Sequence, residues 1–299
     1  MEEVQWALIA GSAEGLGEAF TTLLAAQGFN LILVDRGREA LEKIERKVVK
    51  EYGIKVTSLC VDLGEQDAWK VCMDAVRNPE SRLRDPGSGV QNEGSGIQDG
   101  GCTMLVYCAA MSEVKPFLNH SSENLERFID VNNRTAMLVV HAFAGYLRDQ
   151  KKPGKILLMS SLAGLMAPVY ITPYAASKAF LISLSRSLYY ELKPYRIGIS
   201  TCCAGIINTP KFLESRAQGD IPMADPFRVA AYAIKMCGKK AVCIDGFTNR
   251  LGYFFISRIL PSAFSSYFVN RAMRKIYTTF SRCTGYIYGR AQQPCRPVV

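Results

Sequence analysis

An apolar run, VQWALIA (residues 4–10), passes directly into Gly11-Ser-Ala-Glu-Gly15-Leu-Gly17, and an apolar-periodic helix then continues to Gln27, with Gly28 as its stop. A continuous apolar run of this length reads as a strand buried on both faces, the kind found in parallel sheets. Glycines between such a strand and a helix have two uses. They let backbone approach a pyrophosphate closely, and they leave the helix N-terminus open to stabilise its negative charge. The plainer reading of Gly11, Gly15 and Gly17 is a tight turn that binds nothing. Against that reading stands Asp35, at the end of the next strand (30–34), where a carboxylate accepts hydrogen bonds from the hydroxyls of an adenosine ribose.

The same rhythm runs through the chain. A helix over about 38–52 stops at Gly53, a strand over 55–61 ends in Asp62, and a helix follows to about Arg77. Strands are predicted at 103–109, 155–160, 197–203 and 241–244, with helices within about 122–148 and over about 173–192. Asp225-Pro226 is a helix start, a capping acid followed by proline in the first turn. Strands alternating with helices predict an α/β fold, a doubly wound parallel sheet (Rossmann-like) covered by helices on both faces. Residues 1–246 form this domain and 247–299 a C-terminal helical appendage. Residues 79–101 hold six glycines and two prolines with almost nothing to bury, so they read as a flexible surface insertion.

Composition excludes several classes. At 299 residues, 48% hydrophobic and 21% charged, the chain is an ordinary folded protein rather than a disordered one. No apolar run approaches the roughly 18 residues of a spanning helix. The acidic opening MEEVQW does not read as a secretory leader, so the expected location is cytoplasmic, with a position peripheral to a membrane as the variant. Ten cysteines lack any Cys-x-x-Cys, Cys202 and Cys203 are adjacent, and only His120 and His141 could assist them. Reduced core thiols and no metal site are therefore expected.

Charge is distributed unevenly. Of 36 Lys and Arg and 27 Asp and Glu, residues 226–299 hold 12 and one, the one being Asp245. A basic excess confined to the last quarter reads either as a surface for an anionic partner or as a solvated face. On a helical projection of 268–277, Phe268, Val269, Ala272, Met273, Ile276 and Tyr277 share one side, and Arg271, Arg274 and Lys275 the other. Such a helix either contacts a membrane surface, through about 247–280, or packs on its own domain or a second subunit. No recognised nucleic-acid motif accompanies the charge, so nucleic acid is not an expected partner.

Tyr174-Ala-Ala-Ser-Lys178 opens a predicted helix, so its first and last side chains share one face, and Ser161 lies just past the strand before it. A phenol of pKa ~10 exchanges protons poorly at neutral pH, and a neighbouring ammonium favours its ionised form. Tyr174 would then protonate an alkoxide, or deprotonate an alcohol in reverse, while Ser161 holds the oxygen. Taken alone, Tyr-x-x-x-Lys is an ordinary surface pair. Behind a dinucleotide-binding half-fold, it resembles the short-chain dehydrogenase/reductase superfamily in its compact single-domain branch, over about residues 4–245.

The resemblance implies further roles. Asn132, in the Val131-Asn132 step, matches the asparagine that supports a proton-relay water, completing a tetrad with Ser161, Tyr174 and Lys178. Lys178 also binds the nicotinamide ribose in that scheme, Asp62 contacts adenine, and Thr209 of Gly205-Ile-Ile-Asn-Thr209 contacts the carboxamide. The family's Asn-Asn-Ala-Gly stands here as Tyr107-Cys108-Ala109-Ala110, Ala10 replaces its usual threonine and Ala204 its proline. Ala109 is thus part of the expected cofactor wall. Asp35 and Glu14 repel a 2′-phosphate whereas Arg36 attracts one, so NAD(P)(H) is expected, with NAD(H) favoured over NADP(H). The family usually forms homo-oligomers through the helices at about 122–148 and 173–192.

The segment after Thr209, about 210–224, closes over the substrate in this family, and here it carries Phe212, Leu213, Ile221 and Met223. The expected reaction interconverts a ketone and a secondary alcohol on an apolar or lipid-like molecule, such as a 3-oxoacyl chain, a ketosphingoid or a sterol. The second reading is a cofactor-binding scaffold or sensor at a membrane or partner surface, with vestigial catalysis.

Overall fold

A computed structural model describes residues 4–82, 101–214, 222–259 and 261–276. Most of the expected insertion (83–100), part of the segment after Thr209 (215–221) and the last residues (277–299) lie outside the described residues. The elements are β1 (Trp6–Ala10), α1 (Leu16–Ala26), β2 (Asn30–Asp35), α2 (Arg38–Tyr52), β3 (Val56–Cys60), α3 (Ala68–Arg77), β4 (Cys102–Tyr107), α4 (Ser122–Ile129) and α5 (Thr135–Asp149). Then follow β5 (Gly154–Ser161), α6 (Ala163–Met166), α7 (Thr172–Glu191), β6 (Ile197–Ala204), α8 (Pro210–Glu214), α9 (Pro226–Met236), β7 (Val242–Ile244), α10 (Phe247–Phe254) and α11 (Ser262–Ile276).

All strand pairs are parallel, in the order β3-β2-β1-β4-β5-β6-β7. The β-rich apolar runs account for this. β1 and β4 are buried at every position, as central strands covered on both faces must be. One core layer joins the sheet to α3, α5 and α7, through residues such as Met73, Phe143 and Leu181. The other joins it to α1, α2 and α9, through Phe20, Ile44 and Val229. Winding reverses between β1 and β4, and the crevice outside their carboxyl ends is where doubly wound sheets bind ligands.

Local chemistry ends the helices as expected at several points. Asp225 caps α9, its Oδ2 accepting from the Arg228 N–H at 2.7 Å, and Gly53 closes α2 in the left-handed conformation. Two readings need correction. The helix expected within 122–148 is interrupted by a π turn at Asp130–Arg134, which carries Asn132 fully buried into the protein. Such bulges are recurrent at functional sites. In α11, Val269 and Met273 are half-buried but Phe268 and Ala272 are exposed, so the expected apolar side is divided.

Candidate active site

At the crevice, β1 and β4 are tied at their ends: the Cys108 and Ala109 N–H groups both donate to the Ala10 carbonyl, at 2.9 and 2.8 Å. The glycine turn fits closely against this junction. A Cβ on Gly17 would stand 1.9 Å from the Gly11 carbonyl oxygen, and one on Gly15, whose φ is +56°, 3.0 Å from Thr209 Cγ2. Only glycine lets the first turn of α1 come that near the strand end. α1 opens at Gly15 without a side-chain cap, leaving its N-terminal dipole facing the cleft.

The cleft measures ≈ 290 Å³, and its walls include Gly11, Gly15, Gly17, Asp35, Arg36, Asp62, Ala109 and Thr209. Eight residues expected to hold a dinucleotide thus share one crevice, whereas Lys178, expected at the nicotinamide ribose, is not among its walls. Asp35 braces it: Oδ2 accepts from the Ala13 N–H at 3.0 Å and Oδ1 from the Gly37 N–H at 3.1 Å. Asp62 accepts from the Gly64 N–H at 2.9 Å and pairs with Arg127. Burial would raise the Asp62 pKa, but that N–H and the Arg127 and Arg36 guanidiniums outweigh it and hold the carboxyl below its ordinary range.

The second cluster stands where β5 gives way to α6 and α7. Ser161 ends β5, and its side chain is placed to hydrogen-bond with the Tyr174 hydroxyl. The Lys178 ammonium lies 5.5 Å from the centre of the Tyr174 ring and donates to the Met159 carbonyl at 2.7 Å. The expected depression of the Tyr174 pKa is not what this geometry gives. Burial raises it to about 12, with the Ser161 hydrogen bond opposing and the Cys108 and Cys203 thiols adding to the rise. The tyrosine is thereby held as a proton donor at neutral pH.

Asn132 reaches the same cluster by a route the spacing does not reveal. Its Nδ2 donates to the Met111 carbonyl at 3.0 Å and to Ser177 Oγ at 2.9 Å, and its Oδ1 accepts from the Met111 N–H at 2.7 Å. Ser177 Oγ donates in turn to the Tyr174 carbonyl at 2.7 Å. Asn132 therefore braces the loop after β4 against the first turn of α7.

Sequence reasoning singles out neither Ser177 nor Arg127, and it names Cys108 only within the stretch that stands for the family's Asn-Asn-Ala-Gly. Ser177 was in view as the serine beside Lys178, on the same helix face as Tyr174 by its i+3 spacing. Cys108 lines the cleft and lies close enough to Tyr174 and Lys178 to act on Tyr174 and be acted on by Lys178, which joins the two clusters. Burial raises its own pKa to about 12, so it is an inert wall rather than a nucleophile. Arg127 meets an acid 65 residues away, a contact with no local signal.

The chain belongs to the short-chain dehydrogenase family: the model described as short chain dehydrogenase matches residues 5–83 and 96–219. It is 26% identical over 249 residues to a 7beta-hydroxysteroid dehydrogenase of Clostridium sardiniense, covering 82% of this chain and 87% of that protein. It is 27% identical over 231 residues to a very-long-chain 3-oxoacyl-CoA reductase of Meyerozyma guilliermondii, covering 75% of this chain but 62% of the reductase. Among solved structures, one of a 7beta-hydroxysteroid dehydrogenase superposes with a TM-score of 0.75 at 21% identity, over 90% of this chain and 97% of that one. A Sphingobium yanoikuyae short-chain dehydrogenase in complex with NADPH gives 0.70 at 20% identity, over 84% and 91%.

Proposed function

We propose that the protein is an NAD(H)-dependent oxidoreductase that interconverts a ketone and a secondary alcohol on an apolar, lipid-like substrate. The observation that carries this reading is the Lys178 ammonium 5.5 Å from the centre of the Tyr174 ring, with Ser161 placed to hydrogen-bond with the Tyr174 hydroxyl. The residues of the cleft fit a dinucleotide: a glycine turn too close-packed for any Cβ at Gly17, an uncapped helix start and the ribose-side carboxylate of Asp35. Bound there, NAD(P)(H) supplies or accepts the hydride.

The chain's own residues handle the proton. Tyr174 donates it from its hydroxyl to the substrate oxygen, which Ser161 holds by a second hydrogen bond. Lys178 stabilises the phenolate left behind, and Asn132 keeps α7 at the height where Tyr174 meets Ser161. Alcohol oxidation runs the same steps backwards.

Three acids (Glu14, Asp35, Asp62) and two guanidiniums (Arg36, Arg127) line the cleft. Arg127 is already paired with Asp62, so a 2′-phosphate meets the carboxylates of Glu14 and Asp35 against Arg36, and the balance favours NAD(H). Exposed Leu213 and Met223 on either side of residues 215–221 support an apolar substrate. So do the steroid and very-long-chain acyl substrates in the relatives' names. Within this reading, 1–246 is the catalytic domain, 247–299 its basic extension, which contacts a membrane through about 247–280, and the protein works as a homo-oligomer in the cytoplasm.

The test is titration with NADH and NADPH, followed by turnover on short, acyl-chain and steroid ketones. Tighter NADH binding with turnover of a long apolar ketone is expected. Cofactor binding without turnover of any ketone or alcohol contradicts the enzyme reading.

A further inference from the structure

The exposed large apolar side chains of the described residues are concentrated after the sheet ends. Phe247 is 70% exposed, Phe254 54% and Phe264 60%, and Leu251, Phe255 and Phe268 are exposed with them. Leu251, Phe254, Phe255 and Arg258 follow at i, i+3, i+4 and i+7, one side of a helical turn sequence. Phe264, Phe268 and Arg271 repeat the pattern on α11. Exposed aromatics clustered at helical spacing on two successive helices mark an interaction site rather than ordinary surface.

Charge identifies the occupant. Asp245, the last acid in the chain, is buried, and both its carboxylate oxygens accept from Arg228, at 3.0 and 2.8 Å. Exposed Arg250, Arg258, Arg271 and Arg274 therefore stand among the aromatics with no acid after Asp245. A second copy would bring the same positive charge against itself, and residues 277–299 carry only further arginines. Aromatic anchors flanked by long cationic side chains match an anionic lipid surface, whose interior takes the rings while the guanidiniums stay at the headgroups. Among the described residues no helix is long and apolar enough to cross a membrane, so the contact lies along the surface.

We propose that α10, the π turn Phe255–Ile259 and α11 form a platform that docks the protein on an anionic bilayer, with the catalytic edge of the sheet beside the lipid. Two asparagines fix the platform to that edge. Asn249 Nδ2 donates to the Asp245 carbonyl at 2.9 Å and packs on Gly205, just past β6. Asn270 Oδ1 accepts from the Val169 N–H at 3.0 Å, in the loop that leads into the helix of Tyr174. A lipid-like ketone then reaches the site from the bilayer; this last step rests on the oxidoreductase reading, whereas docking does not.

The full chain is tested by co-sedimentation with vesicles of phosphatidylcholine alone and with about one-third phosphatidylglycerol. Partition at least about tenfold stronger into the anionic vesicles is expected, weakening as salt is raised. The double substitution Phe254→Ser and Phe255→Ser lowers it about tenfold or more, and so does Arg258→Glu with Arg274→Glu. All four side chains are exposed, so melting temperature and NADH binding should stay at the parent values. Equal partition into neutral and anionic vesicles, no partition, or full retention by both variants overturns the proposal. It is also overturned by an oligomer that the Phe254/Phe255 variant dissolves, which gives the face to a second copy. Vesicle binding without turnover of any ketone keeps the docking and removes the oxidoreductase reading; turnover without vesicle binding does the reverse.

Discussion

The ammonium of Lys178 serves two partners at once: it donates to the Met159 carbonyl at 2.7 Å and lies 5.5 Å from the centre of the Tyr174 ring. Lys178 is 3% exposed, so its charge is held away from bulk water beside the tyrosine ring. Strand β5 thereby fixes the position of the cation that accompanies the proton donor on α7.

Replacing Lys178 with methionine should keep the volume and remove the charge. kcat/KM is expected to fall by about 100-fold or more, the scale of a lost acid–base partner. The Met159 carbonyl also loses its donor, which costs about 1–3 kcal/mol of stability. Steady-state kinetics with a thermal melt check both, and a variant that keeps parental kcat/KM would remove Lys178 from the mechanism.

Burial raises the Tyr174 pKa to about 12, so the protonated form dominates at neutral pH and well above it. Ketone reduction, which needs that form, should stay flat from about pH 6 to 9. Alcohol oxidation needs the phenolate, whose fraction rises about tenfold per pH unit below the pKa, so its rate should climb throughout that range. pH profiles of kcat/KM in both directions test this. A reduction rate that falls with a midpoint near 7 would contradict it.

A methyl group at Gly17 has nowhere to go, because the Gly11 carbonyl oxygen would be 1.9 Å away. Gly17→Ala should push α1 off the strand end, lower the melting temperature and abolish NADH binding. Gly252, within α10, has nothing within 4 Å of its Cβ position. Gly252→Ala should therefore stabilise by about 0.5–1 kcal/mol, through helix propensity alone. Calorimetry distinguishes the two glycines.

Glu14 and Asp35 share the cleft with Arg36. Removing the Glu14 carboxylate by Glu14→Gln should improve NADPH binding by about three- to tenfold and leave NADH nearly unchanged. Asp35 is the poorer target, since its oxygens also hold the Ala13 and Gly37 N–H groups. Fluorescence titration with both cofactors measures the ratio. An unchanged NADPH affinity would mean that Glu14 does not face the 2′ position.

The layered fold was legible because buried parallel strands are written as unbroken apolar runs, and VQWALIA and NLILV show them directly. Gly11, Asp35 and Thr209 belong to turns at the carboxyl ends of strands, so predicting the strands also predicts that they share a crevice. Contacts made across the fold were not legible. The Asn132 to Ser177 hydrogen bond spans 45 residues, and the π turn that buries Asn132 has no periodic signature. The Val169 to Asn270 bond spans 101 residues, and nothing local in either segment announces it. The tyrosine's raised pKa comes from burial by residues drawn from several elements, whereas the sequence displays only its helix neighbour Lys178.

The most direct measurement is NADH consumption by the Tyr174→Phe variant beside the parent protein, on a long-chain or steroid ketone, with NADH affinity measured in both. Phenylalanine keeps the ring and removes only the hydroxyl that meets Ser161. The account predicts that turnover falls by about 100-fold or more while NADH affinity stays within about twofold of the parent. A variant that keeps more than about a tenth of the parental rate would show that the proton comes from elsewhere, and would contradict the mechanism.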